Sequence, residues 1–217
     1  MLGLRIKYRQ YKEKLKRPLR RLRLRHTDFS IISNNCWSGT AVYIPFGLKY
    51  TTPTVGLFFM DEDYMRFISR LRWYLAQDLR FIPARQSRYY DHLSHHGERP
   101  LTYPVAVLGG DVEIHFLHYK TEQEAAEKWH RRLARINFDK LLVKMSIRDS
   151  GYDISQMLQK FKSLPYKNKL CFSPMPLSAS DKEIVHVPEL EQLNILGGDE
   201  TDLTLKYIDI YDVLNTL

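Results

Sequence analysis

Apolar and polar positions along this 217-residue chain follow two alternating periods. Residues 29–33, FSIIS, form a short apolar run closed by Asn34-Asn35, which predicts a buried strand. Residues 37–46 read as a helix closed by Gly47. The turn TTPT at 51–54 leads into VGLFF at 55–59, a second predicted strand. Asp61-Glu62-Asp63 then sets three carboxylates at a helix start, where they complement its dipole. That helix is predicted over 62–78, with Tyr64, Phe67, Ile68, Leu71, Tyr74 and Leu75 on its apolar face. Residues 83–104 are rich in Arg, Tyr, His, Ser and Pro and read as a long loop or lid. Apolar runs at 105–108 and 112–118 meet across Gly109-Gly110-Asp111, a hairpin signal. The clearest helix covers 121–136, where Thr121 and Glu124 have capping-box spacing. Further strands are predicted at 141–145, 169–172, 183–187 and 203–209, with a helix over 153–163. This alternation predicts an α/β fold of three layers, α/β/α, with a mostly parallel or mixed sheet, as a single domain over 27–217.

Charge separates the first 26 residues from that domain. They hold eleven Lys or Arg and one Glu, a balance of +10, while the rest of the chain sits at −2. Tyr8, Tyr11, Leu15, Leu19 and Leu22 recur at helical spacing, so the arm reads as a basic amphipathic helix, kinked or ended by Pro18. Such a helix suits an anionic membrane surface, where each basic side chain adds roughly 1 kcal/mol. It also suits packing on the domain, or non-specific nucleic-acid binding. No zinc-finger spacing, RNP-like aromatics or GXXG clamp marks a specific nucleic-acid reader. No apolar run approaches the roughly 20 residues of a membrane span, and no apolar segment follows the basic N-terminus as in a signal peptide. The expected location is cytoplasmic, peripheral to the inner face of the cell membrane. Cys36 and Cys171 lack CxxC spacing, so neither a zinc site nor a disulfide framework is expected.

Two strand ends carry candidate chemistry. The first is Ser33-Asn34-Asn35-Cys36-Trp37-Ser38-Gly39. Asn34 and Asn35 offer amide donors and acceptors, and Ser38-Gly39 opens a helix whose free N–H groups suit an anion. Cys36 is a nucleophile if a base stands near it, or else a small buried hydrophobe. The second is His115-Phe116-Leu117-His118-Tyr119, where His118, at the strand end, suits a general base or a structural cap. Downstream, Arg131 and Arg135 share a helix face with Arg132 beside it, a bidentate set for phosphate or carboxylate or a solvated face. The acids at 61–63, and His92, His95 and His96 with Asp91, are weaker metal candidates, and no metal ligand is assigned. There is no P-loop, GxGxxG, GxSxG or HExxH motif.

In their order and spacing, SIISNNCWSG, KYTTPTVGLFF and HFLHYKTEQEAAEKWHRRLARIN resemble a bacterial family of unknown function whose members are often labelled exopolysaccharide biosynthesis proteins or acetyl- or glycosyltransferases. The resemblance covers residues 28–148 and implies an α/β protein of surface-polysaccharide assembly. It carries over onto Asn34, Asn35, Cys36, Trp37, Gly39, Pro53, His115, His118, Tyr119, Trp129, Arg131, Arg132 and Arg135. The expectation is a membrane-peripheral transferase moving a glycosyl or acyl group from a phosphate-bearing donor to a glycan or lipid-linked acceptor. His118 and Cys36 are its catalytic candidates. Asn34, Asn35, Trp37, Gly39, His115, Tyr119, Arg131, Arg132 and Arg135 are its substrate-binding candidates. The cofactor stays open between a divalent metal with a nucleotide-sugar and acyl-CoA. A binding or scaffold module and a Cys36-dependent hydrolase or acyltransferase are the alternatives.

Overall fold

The computed structural model describes residues 2–96, 101–148, 153–178, 181–193 and 200–217. In chain order, helix α1 (Leu2–Leu22) precedes β1 (Ser30–Ser33), a π-helix (Ser38–Tyr43) running into α2 (Ile44–Phe46), α3 (Asp61–Ser69) and α4 (Leu71–Leu75). Next come β2 (Leu79–Ile82), α5 (Tyr90–His96), the pair β3 (Val105–Leu108) and β4 (Val112–His115), and α6 (Glu122–Leu133). The last part holds β5 (Leu141–Ser146), α7 (Ile154–Ser163), β6 (Asn168–Ser173), β7 (Ile184–His186), α8 (Thr201–Thr204) and α9 (Ile210–Asn215).

Strands β1, β5, β6 and β7 lie side by side in that order, all parallel. Ile32, Val143, Met145, Cys171 and Ile184 face a layer made of α3, α4, α6, α7 and a second sheet. Ile31, Leu142, Leu170 and Phe172 face the π-helix, α2 and the C-terminal helices. With both faces dry, the strands read as apolar runs without strict alternation. Lys144 is a charged residue within such a run, and it is fully buried.

The second sheet is antiparallel, in the order β2-β3-β4. The predicted hairpin is there, and β2, which the sequence reading lacked, joins its edge. The predicted strand at 55–59 survives only at Phe58, which exchanges two backbone hydrogen bonds with His115 (2.8 and 2.9 Å). Gly56, at φ +80°, turns the chain just before it. Phe59 N donates to Asn34 O (2.9 Å), so two consecutive residues stitch the second sheet to the end of β1.

The predicted helix at 62–78 is broken at Arg70 (φ −136°, ψ 42°). The break lets α4 turn its Leu71, Tyr74 and Leu75 into the core beside the hairpin. Gly109 (φ +62°) admits the rings there, since a Cβ at this position would lie 2.6 Å from Trp73. Residues 83–104 are not bare loop: they include a 3₁₀ turn (Ala84–Gln86) and α5, whose Leu93 is buried with Phe58 and Met60. Residues 97–100 of that segment lie outside the described residues. The strand expected at 203–209 is instead α8 and the turns after it. Leu203, Leu205 and Ile208, which read as the apolar positions of a strand, pack on the second core cluster from α8 and the turns after it.

Helix α1 runs through Pro18 rather than ending there. Its last turn is held from outside. Arg20 Nη1 donates to Pro45 O (3.1 Å), and Arg21 Nη1 to Gly47 O (3.2 Å), meeting carbonyls at the end of α2. Beyond the helix, Arg23 stacks on Tyr211, Arg25 N donates to Asn215 Oδ1 (2.8 Å), and Asn215 Nδ2 donates to Arg23 O (3.1 Å). The root of the arm and α9 therefore clasp each other. Among the described residues no helix is long and apolar enough to cross a membrane.

Candidate functional site

Parallel strands end together, and their carboxyl ends are where open α/β sheets take ligands. Here that edge is built from Asn34 and Asn35 after β1, Ser146 and Arg148 at the end of β5, and Asp61 at the start of α3. Glu200, ahead of α8, folds in from the far end of the chain. The Asn34 amide donates to Ser146 O (2.8 Å) and accepts from Ser146 N (3.0 Å), so a side chain extends the β1–β5 pairing by one rung. Its Nδ2 also reaches Asp61 Oδ1 (3.2 Å), and Asp61 Oδ2 accepts from Arg148 N (3.0 Å).

Asn35 Oδ1 accepts from Lys144 Nζ (3.1 Å) and Trp37 N (3.1 Å). Glu200 gathers the remaining donors. Its Oε1 takes Lys144 Nζ, Ser146 Oγ (2.7 Å) and Asn35 Nδ2 (3.0 Å), and its Oε2 takes Arg148 Nε (3.0 Å) and Nη2 (2.9 Å). Burial opposes ionisation of Glu200, but Lys144 and Arg148 outweigh it and hold the carboxyl down at about 2. Burial pulls Lys144 down to about 8 despite the attraction of Glu200. Both groups are therefore ionised at pH 7, beneath the Trp37 ring, whose centroid lies 5.2 Å from Lys144 Nζ. Cys36 and Thr40, both half-buried, form the rim of this buried floor, and the Arg148 side chain, only 8% exposed, lies within it against Glu200.

Most of the sequence-derived candidates surround one turn beside that edge, Thr54 to Leu57. Val55 O accepts from Tyr119 Oη (2.7 Å) and Arg132 Nη1 (2.9 Å). Gly56 O accepts from His118 N (3.3 Å), and Cys36 Sγ lies 3.9 Å from Leu57 O. Gly39 is packed so close that a Cβ there would stand 3.3 Å from Val55. Cys36 and His118 thus flank the same turn, Cys36 half-buried and His118 exposed. Trp37 is core: it packs on Phe172 and donates Nε1 to Thr204 Oγ1 (2.9 Å). Arg132 is buried and committed to Val55, Tyr119 and the face of Tyr50.

Arg131 and Arg135 are not brought to this place. Both are exposed, and Arg135 lies past the end of α6, where it approaches Tyr50 O at 3.4 Å. The neighbouring Thr51 bonds Phe29 O, so Arg135 stands at the start of β1 while the asparagines stand at its end.

His115 belongs to a separate cluster under α5. Asp63, fully buried, accepts from Glu113 N (2.8 Å), Arg66 Nη1 (2.8 Å) and Arg88. Glu113 accepts from Ser87 Oγ (2.6 Å) and Arg88 N (3.0 Å). His115 is boxed by the rings of Phe58, Tyr89 and Tyr103, and neither ring nitrogen has a hydrogen-bond partner among the described residues. Burial, with the Arg88 charge, presses its pKa to about 3, so it is neutral at pH 7.

Sequence reasoning missed Lys144, Arg148 and Glu200 and took Asp61 as a helix start. A lysine inside LLVKMSI was a visible signal, because a charge in a two-sided strand must be paired. Nothing local marked Glu200. A family profile described as "Domain of unknown function (DUF1919)" matches residues 7–215, which takes in most of α1 as well as the domain. An uncharacterised protein of Haemophilus influenzae is 32% identical over 183 residues, covering 84% of this chain and 79% of its own length. On the extent of both matches, the chain belongs to the DUF1919 family.

Proposed function

We propose that this chain is a glycosyl- or acyltransferase of exopolysaccharide, capsule or lipopolysaccharide biosynthesis. It works at the inner face of the cell membrane on a phosphate-bearing donor. The observation that carries the reading is the polar network at the carboxyl ends of the parallel strands, the edge at which this class of sheet binds ligands. Arg148, paired with Glu200 at the edge of that network, meets the anionic group of the donor. Asn34 and Asn35 hold the end of β1 in place through Ser146 and Glu200. His118, exposed beside the Gly56 turn, takes the proton from the acceptor hydroxyl as its oxygen bonds to the transferred carbon, and the donor's leaving group departs with the bonding pair. Cys36, on the other side of that turn, is the nucleophile if transfer passes through an acyl-enzyme.

The test is a thermal-shift panel of nucleotide-sugars, CDP-alcohols and acyl-CoAs, with and without Mg²⁺ or Mn²⁺, followed by transfer of labelled donor to glycan acceptors. Stabilisation by one donor class, weakened in Arg148→Ala, is expected, with transfer lost in His118→Ala. Full transfer by His118→Ala would sink the base assignment. A second reading, a non-enzymatic module of the assembly machinery, draws on the closure of the network: Glu200 already receives five donors from within the chain. Under that reading no donor class stabilises the protein.

A further inference from the structure

Helix α1 is packed inside out. At about 100° per residue, Glu13, Arg17, Arg20 and Arg21 share one side, and it is this side that is half-buried on the domain. Tyr11, Leu15, Leu19 and Leu22 fall within an arc of ~80° on the opposite side. They are 60%, 58%, 66% and 81% exposed, four of the largest exposed apolar side chains in the protein. An amphipathic helix on a soluble domain ordinarily does the reverse and buries its apolar stripe. Here the charged side is the one with partners: Arg20 on Pro45 O and Glu13, Arg21 on Gly47 O. Those arginines are turned away from anything that docks on the outer face. What flanks the stripe is Lys12 and Lys16 on one side and Lys14 on the other, all exposed.

We propose that this outer face docks on a bilayer containing anionic phospholipid. Tyr11, Leu15, Leu19 and Leu22 enter the boundary between headgroups and acyl chains, and the flanking lysines lie at the level of the lipid phosphates. The proposal rests on the membrane-peripheral placement given above and names the surface that achieves it. Charge argues for lipid over a second copy of the chain. Pairing two such stripes would set two +10 arms against each other, and four side chains fall well short of the ~800 Å² per partner of a stable interface.

The experiment is flotation of the full chain with phosphatidylcholine vesicles, with and without phosphatidylglycerol. Wild type is expected to float with the anionic vesicles and to lose at least about tenfold in partitioning in Leu15→Glu/Leu19→Glu. Both positions face away from the domain, and an unchanged circular dichroism spectrum and Tm show that the variant is folded. Lys14→Ala/Lys16→Ala is expected to weaken binding chiefly to the anionic vesicles. If Leu15→Glu/Leu19→Glu floats like wild type, the stripe is not the docking surface, although peripheral placement through charge survives. If wild type ignores both vesicle types, both fall. Absence of flotation together with a wild-type dimer that Leu15→Glu/Leu19→Glu dissociates would replace lipid with a second copy.

Discussion

Glu200→Ala strands a fully buried ammonium. In the wild type the carboxylate accepts from Lys144, Ser146, Asn35 and twice from Arg148. Two estimates of its worth agree. A carboxyl taken from 4.5 to about 2 corresponds to on the order of 3 kcal/mol at neutral pH. Breaking a buried ion pair by removing one partner costs roughly 3–5 kcal/mol. For a chain of this size that is a fall of ~10 °C in Tm. The lysine side has the opposite sign. Burial lowers Lys144 from 10.5 to about 8, so its ammonium is disfavoured in the fold even with Glu200 beside it. Lys144→Met should therefore cost less, about 1–2 kcal/mol, because Arg148 still neutralises Glu200. The double variant Lys144→Met/Glu200→Ala should be more stable than Glu200→Ala alone, since it removes the stranded charge.

Urea unfolding followed by circular dichroism gives all four corners of that cycle. The acid limb gives a further check. Glu200 is depressed, so its contribution is complete above pH 4.5 and disappears as pH falls from there towards 2. Glu200→Gln should flatten that part of the stability profile. Lys144, also depressed, makes the wild type gain stability as pH rises from 8 to 10.5, and Lys144→Met should not show this gain. A loss below about 1 kcal/mol in Glu200→Ala, or strict additivity in the cycle, would refute the reasoning, because either would mean that the pair is solvated.

Three more outcomes follow from single sites. His115 is depressed from 6.5 to about 3, so the stability tied to its neutral form is present above pH 6.5 and is lost as pH falls towards 3; His115→Phe should match wild type at pH 7 and exceed it increasingly at lower pH, and parallel thermal-shift profiles would sink this. Gly109→Ala places a Cβ 2.6 Å from Trp73 at φ +62° and should cost at least ~2 kcal/mol, whereas Gly110→Ala, at φ +90° with nothing within 4 Å, should cost only about 1 in chemical denaturation. Asn34→Leu leaves both backbone groups of Ser146 without the side-chain amide and should cost roughly 2–3 kcal/mol, measured the same way; a loss below ~0.5 would show that the rung adds nothing.

What was legible in the sequence was what is decided locally. The N-cap of α6 is there, with Glu124 N donating to Thr121 Oγ1 (3.1 Å), while the Glu124 carboxylate reaches one residue further back than a capping box requires, to Lys120 N (3.0 Å). Gly109 and Gly110, both at positive φ, make the hairpin that their pairing announced. The strand ending in Asn34-Asn35 does finish at the carboxyl edge. The break at Arg70 was not legible, because apolar residues at helical spacing continue across it, and the reason for the break lies in the hairpin that α4 meets. The partner of Lys144 was not legible either, since it stands 56 residues away, beyond α7, β6 and β7. The arginines misled for a related reason. Spacing placed Arg131 and Arg135 on one face, but only the tertiary fold decides which end of β1 that face adjoins.

The clasp between Asn215 and the backbone at Arg23 and Arg25 makes the last helix part of the lever that aims α1. Shortening the chain by three residues would remove no charge from the arm and no residue from the sheet's carboxyl edge. It would still remove both Asn215 hydrogen bonds from the root of the arm and leave that root to Arg20, Arg21 and Arg23, so that a membrane docked as proposed on the outer stripe would fix less firmly the direction in which the strand ends face. Under the proposed docking, orientation at the membrane is in this sense encoded by the final turn, and a fusion or truncation there changes the protein's bearing.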